Sequence, residues 1–223
     1  MTGCARGPVG TPAGRWARQR AAGGLASALA YRHGPAMDPF VRAFPLVLRP
    51  FDETSAPSRT ALRARATRDG TALTLRWTLV APPGAVVVPA RSAEPVRMDR
   101  LWESTCFEAF VAAAGRPEYW EVNLSPSGDW NVYRFDGERT GMRPEPRVAP
   151  PSVETAPDTG GRFTLTAALD LAPIAELATV ALDVAIAAVL EASSGARSYW
   201  ALLHARRQPD FHARESFVVR LAV

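Results

Sequence analysis

The chain has 223 residues, a formal net charge of +4 and 47% hydrophobic residues, which fits one large domain or two small ones with a sizeable core. No stretch approaches the ~18 apolar residues of a membrane span, and twenty Pro with sixteen Gly argue against a long-helix or coiled-coil protein. All 26 basic residues are Arg, which removes Lys Schiff-base chemistry, a phosphate-loop Lys and a kinase-type site.

The charge is uneven along the chain. Residues 1–37 hold Arg6, Arg15, Arg18, Arg20 and Arg32 and no acid, leaving 21 Arg against 22 acids, a net of −1, for the remainder. The basic character therefore belongs to the extension and argues for no nucleic-acid partner of the folded part. Rich in Ala, Gly and Arg, residues 1–37 read as a disordered basic extension ahead of a domain over 38–223. A second reading makes Ala21–Leu29 the apolar region of a poor export signal, with Ala28-Leu29-Ala30 as its cleavage site. A third places the true start at Met37. The expected location is the cytoplasm.

From residue 44 onward the chain reads as strands. Phe44, Leu46 and Leu48 alternate, as do Leu62, Ala64 and Ala66. Asp69-Gly70 then signals a hairpin into Leu73, Leu75, Trp77 and Leu79. Val86–Val88 is a short apolar run between prolines, and the Pro-rich stretch Arg143–Pro157 reads as a long connection within the domain. Phe163, Leu165, Ala167 and Leu169 form a further alternating run. A short helix is expected over Ala172–Leu177 with Asp170 near its cap. Strands follow from Val180 to Leu190, over Tyr199–Leu203, and through Phe217, Val219 and Leu221. About ten strands imply an antiparallel sandwich or barrel. Cys4 and Cys106 give neither a disulfide framework nor a zinc spacing, and Cys106 reads as a small buried apolar residue.

Residues 119–135 are the most informative. Ser125-Pro126-Ser127-Gly128 suits a type I turn, and with Gly128 left-handed it becomes a three-residue hairpin with a bulge. Ser125 then faces Asp129, Leu124 faces Trp130, Asn123 faces Asn131, Val122 faces Val132 and Glu121 faces Tyr133. One face is Trp120, Val122, Leu124, Trp130 and Val132, which is core. The other presents Glu121, Asn123, Asn131 and Tyr133, with Phe135 beyond, and a one-residue slip would mix the two. Such a face is either a site for a polar small molecule or a solvated exterior.

Leu101-Trp102-Glu103-Ser104-Thr105-Cys106-Phe107-Glu108-Ala109-Phe110, the run from Tyr119 to Asp136, and Gln208-Pro209-Asp210-Phe211-His212 resemble a bacterial group of DOMON-like proteins. That group is related to family 9 carbohydrate-binding modules and to haem- and sugar-binding DOMON domains. The resemblance covers about residues 40–223. It implies a single β-sandwich that binds a ligand on or within its sheets, with sugar and haem as precedents and no known catalysis. The expected fold is thus all-β, a single antiparallel jelly-roll-like β-sandwich of about ten strands with one short helix.

A sugar site needs aromatic platforms and planar polar partners, which Trp102, Tyr133, Glu121, Asn123 and Asn131 supply. At least half of the six Trp are expected in the core. Haem needs axial ligands, for which Met98, Met142, His204 and His212 are present without a diagnostic spacing. His204, Asp210 and His212 also suit a divalent metal, but the favoured reading has Asp210 turning its loop and the His side chains bonded to backbone. Glu103, Glu108 and Glu121 keep a glycoside-hydrolase reading open, although Arg100, Arg134 and Arg139 stand nearby as structural partners and Gly-x-Ser-x-Gly is absent. An exposed strand edge would serve a protein-interaction domain instead. The combined expectation is a non-catalytic module for a carbohydrate or similar polar molecule. Its ligand-binding residues would be Trp102, Glu108, Glu121, Asn123, Asn131, Tyr133 and His204. No cofactor, metal, nucleic acid or membrane partner is expected, and the oligomeric state is left open.

Overall fold

The computed structural model describes residues 45–158 and 160–223; the expected extension over 1–37, and Phe44 of the first alternating run, lie outside them. Among the described residues the chain forms twelve strands, all paired antiparallel. In chain order they are β1 (Leu46–Pro50), β2 (Ala61–Asp69), β3 (Ala72–Val80), β4 (Cys106–Ala113), β5 (Tyr119–Leu124) and β6 (Trp130–Phe135). There follow β7 (Arg143–Pro144), β8 (Ser152–Pro157), β9 (Arg162–Asp170), the helix α1 (Ala175–Ala178), β10 (Leu182–Glu191), β11 (Arg197–Ala201) and β12 (Val219–Leu221). The hydrogen-bonded order is β7-β6-β5-β4-β10-β11-β1-β2-β3-β9-β8, with β12 beside the start of β10.

This one ladder folds back on itself at β1. The start of β1 pairs with β2 and its end, Arg49 and Pro50, pairs with β11. The β2-β3-β9-β8 half then faces the β4-β5-β6-β10 half, giving the expected sandwich. Period-two patterning accounts for the layer between them. Leu73, Leu75, Trp77 and Leu79 of β3 are buried, as are Phe107, Trp120, Val122, Leu124, Trp130 and Val132 opposite. Trp77 meets Phe107 at 5.7 Å between ring centroids, and Phe107 stacks on Phe163 at 6.0 Å. Trp77, Trp120, Trp130 and Trp200 all lie in this core, and Cys106 is buried.

The strands β4 and β5 are buried at every position, so both of their faces are covered. The near-continuous apolar run of β4 is what a doubly covered strand requires. Its second face carries Phe110 and Ala112, and joins Tyr119, Tyr133, Phe135, Ala185, Ala187 and Val189 in a smaller apolar cluster. Phe211 and Phe217, from the segment between β11 and β12, and Trp102 close over that cluster.

Several local expectations are corrected. The Pro-rich connection contains β7 and β8; both sit at the ends of the strand order, where a missing N–H breaks no ladder. Asp69 pairs with Ala72, so the two-residue hairpin loop is Gly70-Thr71 rather than Asp69-Gly70. Gly70 has φ 58 at the first loop position, as a type II′ turn requires. The helix begins at Ala175, not Ala172, because Pro173 biases the residue before it away from helical angles. Asp170 instead accepts from the Ala172 N–H at 2.9 Å and caps the preceding turn. Strand β10 starts at Leu182; Arg68 donates to the Val180 carbonyl ahead of it and also to the carbonyls of Leu177 and Ala178 at the end of α1. The last long strand is Arg197–Ala201, two residues earlier than expected.

Gly128 has φ 94, and a Cβ there would meet the Arg91 guanidinium and lie 3.1 Å from Pro95 Cγ. Gly128→Ala is expected to destabilise the protein by about 1–2 kcal/mol, chiefly from the left-handed backbone, read as a lowered Tm in thermal melting. An unchanged Tm would show that this turn does not need the conformation.

Candidate functional site

The hairpin closes in the expected register. Ser125 N–H donates to Asp129 O and Gly128 N–H to Ser125 O, both at 2.9 Å. Asn123 faces Asn131 and Glu121 faces Tyr133, while Glu108 of β4 faces Asn123 and Phe110 faces Glu121. The second face therefore carries a row Glu108–Asn123–Asn131 beside a row Phe110–Glu121–Tyr133. All four polar hairpin residues and Glu108 are buried, which rules out the solvated-exterior reading of this face.

The face divides into a closed part and an open part. In the closed part, Asn131 Nδ2 and Tyr133 OH both donate to Asp99 Oδ1, at 2.8 and 2.6 Å. Asn131 Oδ1 accepts from the Arg97 guanidinium at 3.0 Å. Asp99 and Arg97 lie in the segment ahead of the 3-10 turn Leu101–Glu103, which lays Trp102 edge-on to Tyr133 at 5.8 Å. Asn131 and Tyr133 are buried and spend their donors on Asp99, which is itself exposed.

In the open part, Glu108 and Glu121 border a cavity of about 360 Å³. Trp102 and Phe135 border it from one side, and Tyr199 and Phe211 from β11 and the loop beyond. His212 lies against it, with Nδ1 2.7 Å from Tyr119 OH and Nε2 3.9 Å from Glu121 Oε2. The Tyr119 hydroxyl also accepts from the Arg139 N–H at 3.2 Å. Arg139 and Arg197 reach the cavity from more exposed positions, and Arg139 is paired with Asp210 at 2.8 Å. Asp210 also accepts from the His212 N–H at 3.0 Å and so turns its loop.

Asn123 stands behind the cavity, donating to Glu121 Oε1 at 2.8 Å and orienting that carboxyl. Glu108 Oε1 is buried with no hydrogen-bond partner among the described residues. Burial, and next the neighbouring Glu121 charge, hold the Glu108 carboxyl well above the usual carboxylate range. Burial also pushes Glu121 up to about 7, against the opposing pull of Asn123 and Arg139. His212 is pushed down to about 4 by burial and then by Arg139, so it is neutral at neutral pH.

Of the seven expected site residues, Trp102, Glu108 and Glu121 border the cavity. Asn123 supports Glu121, Asn131 and Tyr133 belong to the Asp99 network, and His204 lies elsewhere. His204 Nε2 contacts Arg49 O at 2.9 Å and the ring packs on Phe51. Among the nearby arginines, Arg100 pairs with Glu103 and Arg134 with Glu176, so neither neutralises Glu108 or Glu121. Arg139, expected as a structural partner, reaches the cavity and acts on Glu121, whereas Tyr199, Phe211 and Arg197 were missed, since strand pairing in one hairpin says nothing of chain 60 or more residues away. The Arg197-Tyr199-Ala201 alternation was the one available signal for β11's contribution.

No family model matches the chain, and no curated protein matches it. Among solved structures, a putative carbohydrate-binding protein from Bacteroides uniformis ATCC 8492 is similar at TM-score 0.54 and 13% identity, over 78% of this chain and 85% of that one. A family 9 carbohydrate-binding module from Caldicellulosiruptor kristjanssonii gives TM-score 0.43 and 12% identity in complex with glucose, over 75% of this chain and 78% of that one. In complex with cellotriose it gives 0.46 and 13%, over 80% and 81%. The Bacteroides likeness shows a shared fold.

A raised carboxyl pKa makes the folded state bind more protons than the unfolded one. The stability from protonated Glu121 is thus complete below about 4.5 and is lost as pH rises through about 7. His212 works in the opposite sense, losing stability as pH falls from its usual 6.5 through about 4. Glu121→Gln is expected to flatten the decline of Tm between pH 5 and 8 in differential scanning calorimetry. A decline as steep as in the parent would remove Glu121 as its source.

Proposed function

We propose that this chain is a non-catalytic sandwich module that binds a small polyhydroxylated ligand, a carbohydrate, in the Glu108–Glu121 cavity. The observation that carries this reading is Glu108 Oε1, a buried oxygen with no partner among the described residues, beside a cavity bordered by aromatic rings. A buried polar atom left unpaired is costly, and a ligand hydroxyl at that point removes the penalty. Sugars present such hydroxyls around an apolar C–H face that packs on rings like Trp102 and Phe135. About 360 Å³ lies near the lower end of the range for small-molecule pockets, the scale of a compact ligand. The DOMON-like sequence runs support the reading, as does the fold shared with a protein described as putatively carbohydrate-binding.

A second reading draws on the same two carboxyls. Two neighbouring buried acids that hold their protons above the usual carboxylate range are the raw material of acid–base hydrolysis. Release of reducing ends from a bound oligosaccharide, abolished by Glu108→Gln, would establish it in place of simple binding.

Isothermal titration across neutral, acidic and amino sugars is expected to find at least one ligand. Glu108→Ala and Trp102→Ala should each weaken that ligand by about tenfold or more. Tyr133→Phe should leave affinity within about twofold, because its hydroxyl already serves Asp99, while lowering Tm through a lost buried hydrogen bond of about 1 kcal/mol. Affinity that follows Tyr133 and ignores Glu108 would move the site to the closed part of the face.

A further inference from the structure

The occupied and unoccupied atoms of the cavity narrow the ligand class. Glu108 and Glu121 sit diagonally on adjacent strands of one face. Among the described residues no arginine lies within ion-pair distance of either carboxyl, although the charge of Arg139 is felt at Glu121. From β4 comes Cys106, a buried thiol whose pKa is pushed up; from β5 and β6 come Asn123 and the phenols Tyr119 and Tyr133, the latter held by Asp99. The loop after β6 brings Arg139, already paired with Asp210; the loop after β11 brings neutral His212; and Arg197 on β11 borders the cavity from an exposed position. The rings of Trp102, Phe135, Tyr199 and Phe211 border the same space, and aromatic faces attract a cation.

Resting on the carbohydrate reading, we infer that the floor of the cavity receives a protonated amino group, so that the ligand is an amino sugar whose ammonium donates to Glu108 Oε1 and Glu121. A neutral hydroxyl offers one donor to this pair. An ammonium offers three and also cancels the repulsion that keeps the two carboxyls from ionising together. Its binding therefore expels a proton from the pair to solvent, whereas a neutral sugar binds the protonated pair and expels none. Burial holds both carboxyls up, and the pull of Arg139 on Glu121 does not offset it.

The test is titration calorimetry on the full chain at pH 6, in buffers of differing ionisation enthalpy. The probes are glucosamine, glucose, N-acetylglucosamine and cyclohexylamine. Glucosamine is expected to bind at least about tenfold more tightly than glucose or N-acetylglucosamine, with about one proton released per ligand. Glu108→Gln, which copies the shape of the protonated acid, should erase that preference and the proton release while keeping a cooperative melt; Glu121→Gln provides the second variant. Glucose or N-acetylglucosamine binding as tightly as glucosamine, with no proton released, overturns the ammonium site and leaves the carbohydrate reading standing. Cyclohexylamine binding with proton release while no sugar binds does the reverse. Silence from all four probes overturns both.

Discussion

A single left-handed glycine decides which side chains share the site. With Gly128 at φ 94 the chain between β5 and β6 closes in three residues, and Ser125 comes to face Asp129. From that closure the pairing of every later residue follows. Glu121 and Asn123 take one face, and Trp120, Val122 and Leu124 take the other. Moving the register of β5 by one residue would put Trp120 where Glu121 now stands and the Glu121 carboxyl into the main core, where a buried charge without a partner costs several kcal/mol.

What the hairpin arranges, the rest of the chain encloses. The outer face of an antiparallel sheet is commonly wet, and in this protein it is roofed by Trp102, Phe211 and Phe217. Enclosure has an electrostatic result: two carboxyls that water would ionise freely are kept partly protonated, and the nearby imidazole is kept neutral. Where the roof touches the face closely, as at Asp99, polar groups satisfy one another. Where it stands off, Glu108 keeps an unused acceptor.

The sequence was most legible where two independent signals agreed. Ser-Pro-Ser-Gly and the alternation of Trp120 to Val132 both demanded one register, and that register is present. It was least legible where one signal masked another. The prolines at Pro144 and Pro157 hid strands that lie at sheet edges, and Pro173 displaced a helix that composition alone placed three residues early. Half of the cavity was beyond reach for a different reason. Tyr199, Phe211 and His212 meet Glu121 only through tertiary closure, which no local periodicity encodes. Likewise the pairing of Asn131 and Tyr133 with Asp99 consumes donors that, read along one hairpin, look available.

The strand β1 has a mechanical meaning. Five residues are laced to β2 at their beginning and to β11 at their end, so one short segment is common property of both layers. Along that seam β1 holds Leu62–Ala64 of β2 and Trp200–Ala201 of β11, and prising the layers apart there requires rupturing the same stitches from either direction. Loss of one layer therefore strips the other of its neighbour and its cover at once, and the described part of the chain is built to come undone in a single step.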